Sequence, residues 1–184
     1  GRRLMERHSI CMTRSVADGS ELRMPGLRKL EPPEHSAPHF YGRALDALDA
    51  GGVRYLIAGG FALAHYTTIQ RPTKDLDIFV RPGESRYAVD TLEAAGNQTE
   101  WPWPHFLARV SSQGEHFIDI LYNSGNGLTE VDDDWFEHAV SAEMLERELL
   151  LVPAEELLWS KCFVQERGRF DGADVAPLIL QSGA

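Results

Sequence analysis

The clearest pattern of apolar and polar positions lies in the second quarter of the chain. It opens with an apolar run over residues 53–58, which is typical of a buried strand. A glycine pair, Gly59-Gly60, separates this run from a short segment that predicts a helix over 61–66. It closes with residues 75–80, where charged and apolar residues alternate as they do in a half-buried strand. The segment therefore predicts strand, glycine turn, helix and strand in this order.

Shorter elements are predicted on both sides of this segment. Apolar residues at helical spacing predict helices over 39–50, 84–95, 131–139 and 153–167, and a last helix after Asp171 that Pro177 should bend or shorten. Alternating residues predict a hairpin of two strands, 105–111 and 116–122, while 148–152 fits a last strand or a helix end. Residues 99–104, rich in Trp and Pro, are predicted to be irregular.

Length and composition indicate one globular domain. The chain has 184 residues, of which 43% are hydrophobic and 25% charged, as in ordinary soluble proteins. Residues 1–38 combine Arg with Gly, Pro and Ser, so we predict a flexible N-terminal arm or upstream sequence there. We predict the folded domain over 39–184, with a helical C-terminal part from about 153 that could be truncated.

Charge is unevenly distributed along the chain. The net charge is −10, yet residues 1–30 hold seven Lys and Arg against three acids, so the remainder is at −14. The negative charge of residues 31–184 argues against broad, sequence-independent binding of nucleic acid, although it does not exclude a local basic groove. With two cysteines, no long apolar run and no signal segment, we expect a cytoplasmic protein that does not contact the membrane.

Candidate chemistry begins with paired carboxylates. Asp75 and Asp77 point to the same face of their strand, where they repel each other unless a hard cation lies between them. Asp119 lies between two isoleucines of the predicted hairpin and could add a third ligand. The alternatives are a solvated strand face for the pair, and for Asp119 an edge-strand charge that prevents aggregation.

Groups that could bind phosphate surround these carboxylates in the sequence. Gly59 and Gly60 open a helix, and the free backbone N–H groups of a helix N-terminus attract phosphate. Arg71 and Lys74 could contact a triphosphate, or they are ordinary loop charges. Lys161 lies beside the apolar stripe of its helix and either extends outward or reaches into the cleft. A phosphate cradle beside paired carboxylates is what metal-dependent phosphoryl chemistry requires.

The chain resembles the nucleotidyltransferase superfamily of the polymerase-β-like fold in three features, namely Gly59-Gly60, the strand Asp75-Leu76-Asp77, and Asp119. Residues 71–77 look like the Arg-x-Thr-x-Asp-x-Asp form of its minimal bacterial and archaeal members, although the interval of 14 residues after Gly60 is slightly longer than usual. The C-terminal run is similar to helices of the AbiEii-like branch, which includes toxin components of toxin–antitoxin and phage-defence systems. That likeness rests on Pro153–Leu157, Lys161, Arg167, Arg169, Asp171 and Asp174.

The resemblance implies an α/β (α+β) fold, with a mixed, mostly antiparallel sheet flanked by helices and a small C-terminal helical part. It also implies Mg²⁺-dependent transfer of a nucleoside monophosphate from an NTP to an acceptor hydroxyl, with release of pyrophosphate. Asp75, Asp77 and Asp119 would be catalytic and would bind two Mg²⁺ ions, with Mn²⁺ as a substitute. Gly59, Gly60, Arg71, Lys74, Lys161 and Asp174 would bind or support the nucleotide.

The acceptor stays open at this point. An RNA end, a protein side chain and a small molecule such as an aminoglycoside or lincosamide all fit. The AbiEii-like likeness implies a toxin or defence role with an antitoxin-type protein partner. The alternative function is a non-catalytic nucleotide-binding or partner-binding module that retains the fold.

Overall fold

The structure is a computed structural model that describes residues 36–112, 116–163 and 170–181. The helices in these ranges are α1 (Ala37–Ala50), α2 (Gly59–Tyr66), α3 (Ser85–Ala94), α4 (Asp133–Glu137), α5 (Ala154–Phe163) and α6 (Gly172–Gln181). The strands are β1 (Leu56–Ile57), β2 (Asp75–Phe79), β3 (Gln98–Trp103), β4 (Leu107–Ser111), β5 (Phe117–Leu121), β6 (Val140–Met144) and β7 (Arg147–Leu151). The predicted arm over 1–38 lies almost wholly outside the described residues.

The strands form one sheet in the order β3-β4-β5-β2-β1-β7-β6. Strand β2 is parallel to β5, and β1 is parallel to β7. The other neighbouring pairs are antiparallel, including the predicted β4–β5 hairpin. The predicted mixed, mostly antiparallel sheet flanked by helices is therefore confirmed.

The two faces of the central strands differ as their alternating sequence predicts. In β2, Leu76 and Ile78 are fully buried, and in β5 so are Ile118 and Ile120. These side chains join the core that also contains the buried faces of α1 and α3. The opposite face of β2 and β5 carries the aspartates, so burial of the apolar face fixes where the carboxylates point.

Both edge strands of the sheet differ from the prediction. Residues 98–103 form β3 although residues 99–104 were expected to be irregular, and β6 was not predicted at all. Pro102 is tolerated because an edge strand needs hydrogen bonds on one side only, and the pairing with β4 shifts register between Glu100 and Trp103. Strand β6 is mostly exposed, although Val140, Ala142 and Met144 alternate with polar residues as in a strand.

The helix ends also differ from the prediction in detail. Helix α1 begins at Ala37 instead of residue 39, and α2 begins at Gly59, so the glycine pair is its first turn. Helix α6 continues past Pro177 to Gln181, so the proline, which was expected to bend or shorten the helix, does not end it. The residues predicted to end the fifth helix, 164–167, lie outside the described part of the chain.

Candidate active site

Three carboxylates converge where β2 and β5 lie side by side. In the parallel register Asp77 is opposite Asp119, and Asp75 lies two residues earlier on the same face. Carboxylate oxygens of Asp75, Asp77 and Asp119 all lie within 4.8 Å of one another. Asp119 is 5% exposed, whereas the other two are half-buried at the open side of the sheet. The structure thus brings together the three predicted metal ligands.

Two side chains to which the sequence analysis gave no role, Thr73 and Arg109, hold the outer carboxylates. Thr73 donates its hydroxyl hydrogen bond to Asp75, with Oγ1 2.5 Å from Oδ1 and 2.9 Å from the backbone carbonyl oxygen. Arg109 donates to both oxygens of Asp119, from Nε and Nη2, each at 2.7 Å. Arg109 could have been found from the predicted hairpin, because pairing its two strands places residue 109 opposite residue 119.

The glycine pair lies directly against this cluster, but its two members differ. Gly59 has a φ of +55°, and a Cβ built on it would lie 1.7 Å from Oδ2 of Asp77. A Cβ on Gly60 would make only an ordinary contact, 3.5 Å from the Cβ of Thr73. Asp77 also accepts a backbone hydrogen bond at its carbonyl oxygen from Ala58 N–H at 2.9 Å. The N-terminus of α2 is thereby fixed beside the carboxylates.

Two of the three predicted nucleotide-binding cations contact a single carboxylate, that of Asp174. Nη2 of Arg71 lies 2.5 Å from Oδ1, and Nζ of Lys161 lies 3.0 Å from Oδ2. Asp174 is 7% exposed, and Lys161 also lies 3.7 Å from Asp171 at the start of α6. Helices α5 and α6 and the loop before β2 are joined by these ion pairs. The side chains of Arg71 and Lys161 are therefore held in place by the carboxylate of Asp174.

Of the two positions considered for Lys161, the structure shows the one that reaches into the cleft. It lines one cleft together with Gly59, Asp77 and Asp171, and its side chain is 15% exposed. Lys74 differs, since it is exposed and makes no ion pair among the described residues. The structure thus groups Arg71 and Lys161 with the site and leaves Lys74 at its margin. Arg167 and Arg169, part of the AbiEii-like likeness, fall outside the described ranges.

A buried tyrosine lies near enough to the carboxylate cluster for the charges of Asp75 and Asp77 to act on it. Tyr41 of α1 is 2% exposed, and its hydroxyl oxygen has no hydrogen-bond partner within the described residues. Its ring lies edge-on to those of Phe61 and His116. Burial, followed by the negative charges of Asp75 and Asp77, raises the pKa of Tyr41 to about 12. The phenol therefore stays neutral, and sequence reasoning missed it because it resembles any core residue of an amphipathic helix.

An aromatic cavity adjoins the cleft. The two share Phe79, Leu121 and Ser160, and the cavity continues to Trp135 and Trp159. Phe79 and Leu121 follow the aspartates on the same faces of β2 and β5. A substrate bound at the carboxylates thus has apolar, ring-lined surface within reach.

An acidic groove continues from the aromatic cavity, with which it shares Trp135 and Trp159. Burial raises the pKa of Glu156, one of its carboxyl groups. Helix α5 runs past all three spaces, with Lys161 in the cleft, Trp159 at the cavity and Glu156 in the groove. The groove carboxylates are Glu130, Asp132, Asp134, Glu155 and Glu156.

The donor set fits a hard divalent cation. All three side chains of the carboxylate cluster offer oxygen, which Mg²⁺ and Mn²⁺ prefer, and two of them, Asp75 and Asp77, are only partly buried. Close packing of three like charges is unfavourable without a cation, even with Arg109 opposite one of them. Asp75, Asp77 and Asp119 are therefore the residues that could hold a metal here.

Comparison with known families decides the relationship. Residues 42–147, more than half of the chain, match the model of the aminoglycoside-2''-adenylyltransferase family. The chain belongs to this family. The matched range contains the glycine pair and the three carboxylates, but not Lys161 or Asp174. Membership makes the chain a nucleotidyltransferase of the polymerase-β-like superfamily, which transfers a nucleoside monophosphate from an NTP, and so confirms the predicted enzyme class over the non-catalytic alternative.

Solved structures of other nucleotidyltransferases share the fold of this family member. The lincosamide antibiotic adenylyltransferase LnuA, with lincomycin bound, is 18% identical over 77% of this chain and 94% of its own, with a TM-score of 0.53. Antibiotic-resistance factor ANT(2'')-Ia is 15% identical over 78% and 82%, with a TM-score of 0.57. A putative nucleotidyltransferase from Thermotoga maritima is 12% identical over 77% and 90%, with a TM-score of 0.52. At these identities the likeness establishes the fold.

Comparison with curated protein sequences gives no significant match. Among the described residues, every helix is too short or too polar to cross a membrane.

Proposed function

We propose that this family member transfers AMP from ATP to a hydroxyl group of a small, positively charged molecule, with release of pyrophosphate. The observation that carries the proposal is the convergence of three carboxylates beside the N-terminus of a glycine-led helix. The family description, which names adenylyl transfer to an aminoglycoside, supports ATP as donor and a small molecule as acceptor. The reaction would take place in the cytoplasm, where ATP is available.

Metal binding is assigned to the same three carboxylates. We assign Asp75 and Asp77 to both of two Mg²⁺ ions, or Mn²⁺ ions, and Asp119 to the one nearer the acceptor. Such ions lower the pKa of a hydroxyl group and neutralise the charge of phosphates. Thr73 would hold the carboxylate of Asp75, and Arg109 would hold that of Asp119, in the orientation that the transfer step needs.

The other predicted site residues would bind the triphosphate or hold the side chains that bind it. Backbone N–H groups at Gly59 and Gly60 would bind phosphate oxygens, and Lys161 with Arg71 would neutralise the triphosphate. The acceptor oxygen forms a bond to the α-phosphorus while the bond from that phosphorus to the β-phosphate oxygen breaks. The hydroxyl proton is released to solvent, and pyrophosphate carries away the electron pair of the broken bond. Asp174 would support this step by holding both cations at the cleft.

The acidic groove supports a cationic acceptor. Five carboxylates surround a space that adjoins the aromatic cavity, and that cavity adjoins the cleft that Asp77 lines. A field of one sign along a groove concentrates ligands of the opposite sign and repels phosphate backbones. The groove therefore favours an amino-sugar-like acceptor over an RNA end. The AbiEii-like assignment, with its toxin role and antitoxin partner, stays a prediction from the C-terminal sequence pattern.

The test of this function is an acceptor screen with labelled ATP and Mg²⁺. Four acceptors should be compared: an aminoglycoside, a lincosamide, total RNA and a neutral protein. We expect label on the aminoglycoside, no product after EDTA treatment, and recovery with Mg²⁺ or Mn²⁺. Label on RNA alone would overturn the acceptor assignment, and full activity in EDTA would overturn the metal assignment.

Replacing Lys161 by Gln should lower kcat/KM for ATP by about 10- to 100-fold, because one charge-assisted contact to phosphate is lost. Binding of ATP in the absence of acceptor, measured by calorimetry, should weaken in the same variant. The Lys161→Arg variant, which keeps the charge, should retain most of the affinity.

The matched control for this change is Arg147→Gln. Arg147 also bridges two carboxylates, Asp46 and Asp49, but it does so between β7 and α1, away from the cleft. It should show a similar change in Tm with normal ATP affinity. Equal loss of ATP affinity in both variants would mean that Lys161 acts only through stability.

A further inference from the structure

Four charged side chains form a row across the open face of the sheet. In register, Glu100 of β3 lies opposite Arg109 of β4, Arg109 opposite Asp119 of β5, and Asp119 opposite Asp77 of β2. The row runs acid, base, acid, acid. Arg109 is its single cation and separates the inner carboxylates from Glu100.

Arg109 binds the carboxylate of Asp119 in a bidentate manner. Two parallel hydrogen bonds of 2.7 Å occupy one side of the carboxylate and fix its plane. The guanidinium also lies 5.0 Å above the ring of Phe117, on the strand that carries Asp119. Because a bidentate pair uses one lone pair of each oxygen, the lone pairs on the other side stay available toward Asp75 and Asp77.

The charge of Arg109 acts in addition to its geometry. The cluster of three aspartates has a formal charge of −3 at neutral pH, and Arg109 reduces this to −2. The positive charge of Arg109 would be separated from a bound divalent cation only by the carboxylate of Asp119, and like charges at such a separation repel each other. The same residue therefore orients one ligand and lowers the attraction of the whole site for metal.

We propose that Arg109 is a positioning residue that orients Asp119 for the acceptor step and also weakens the site's affinity for divalent cations. The inference rests on the proposed metal-dependent function. It predicts that removing Arg109 strengthens metal binding and lowers turnover. A residue that only maintained the fold would lower both.

The test compares Arg109→Gln, Arg109→Lys and wild type by Mn²⁺ calorimetry without nucleotide and by turnover. We expect Arg109→Gln to bind Mn²⁺ about three- to tenfold more tightly, because one repulsive charge is removed in a partly solvated site. Its turnover should fall about 100-fold, since Asp119 is no longer held in the productive orientation. Arg109→Lys keeps the charge without the fork, so Mn²⁺ affinity should match wild type while turnover is reduced.

The control is Arg86→Gln, which breaks an exposed pair with Asp90 on α3 and should change neither quantity. If Arg109→Gln binds Mn²⁺ no more tightly than wild type, the inference is wrong. If that variant does not fold, Arg109→Lys decides, and wild-type turnover in it would overturn the positioning role. Absence of Mn²⁺ binding in wild type would instead overturn the proposed function itself.

Discussion

Replacing Asp77 by Asn should lower turnover by at least about 10³-fold, or roughly 4 kcal/mol of transition-state stabilisation. An amide oxygen is a much weaker ligand for a hard cation than a carboxylate is. Asp77 occupies the middle of the site, with Asp119 opposite it and Gly59 against its Oδ2. Asp75→Asn should have an effect of the same order. Product formation from labelled ATP measures both.

The fold should survive the Asp77→Asn change. Asp77 is half-buried on the open face, while the core residues on the other face of β2 are untouched. Without metal, the variant should be as stable as wild type or slightly more stable, because one of three mutually repelling charges is gone. The rise in Tm that Mg²⁺ and ATP give the wild type should be absent.

Asp90→Asn is the matched control for these variants, since Asp90 is an exposed carboxylate of α3 paired only with a surface arginine among the described contacts. It should retain wild-type activity. Full activity in Asp75→Asn or Asp77→Asn would refute the assignment of the site.

The central part of the site could be predicted because its pattern is local. Strand period alone places Asp75 and Asp77 on one face and Leu76 and Ile78 on the other, and the structure agrees. The third carboxylate, Asp119, was identifiable because a charge among isoleucines needs compensation. What the pattern could not give is that β5 lies parallel to β2, which brings Asp119 opposite Asp77.

Contacts that depend on tertiary structure were outside the reach of sequence reasoning. Arg71 and Asp174 are more than 100 residues apart, yet their side chains form an ion pair. Arg71 and Lys74 looked equivalent in the sequence, three residues apart in one loop. Only the structure separates them, since Arg71 forms an ion pair with Asp174 on α6 and Lys74 forms none among the described residues.

The arrangement of the cations has a consequence for ATP binding. Asp174 is shared by Arg71 and Lys161, so a triphosphate that contacts these cations must share them with a carboxylate. Holding two long side chains in place before the substrate arrives reduces the conformational entropy that binding would otherwise remove. We therefore propose that Asp174 organises the phosphate site through these two cations and not by contact with phosphate.

Replacing Gly59 by Ala should reduce turnover by about 100-fold or more, because the added Cβ displaces the catalytic carboxylate. That atom would lie 1.7 Å from Oδ2 of Asp77, so Asp77 or the start of α2 has to move. The φ of +55° adds a cost of about 1–2 kcal/mol for a residue with a Cβ. Thermal unfolding should report this cost as a lower Tm, and Mn²⁺ calorimetry should report weaker metal binding.

Gly60→Ala is the internal comparison, because the two glycines look equivalent in the sequence but have different surroundings in the structure. Its Cβ would meet only Thr73, at 3.5 Å, and alanine within a helix is favoured over glycine by about 0.5–1 kcal/mol. This variant should be at least as stable as wild type and should bind Mn²⁺ normally, with any loss confined to KM for ATP. If both variants lost metal binding equally, close packing of Gly59 on Asp77 would not be the reason for the glycine pair. We expect Tm to fall in Gly59→Ala and not in Gly60→Ala, with metal binding lost only in Gly59→Ala. That result would assign metal geometry to Gly59, and a raised KM for ATP in Gly60→Ala would assign phosphate contact to Gly60.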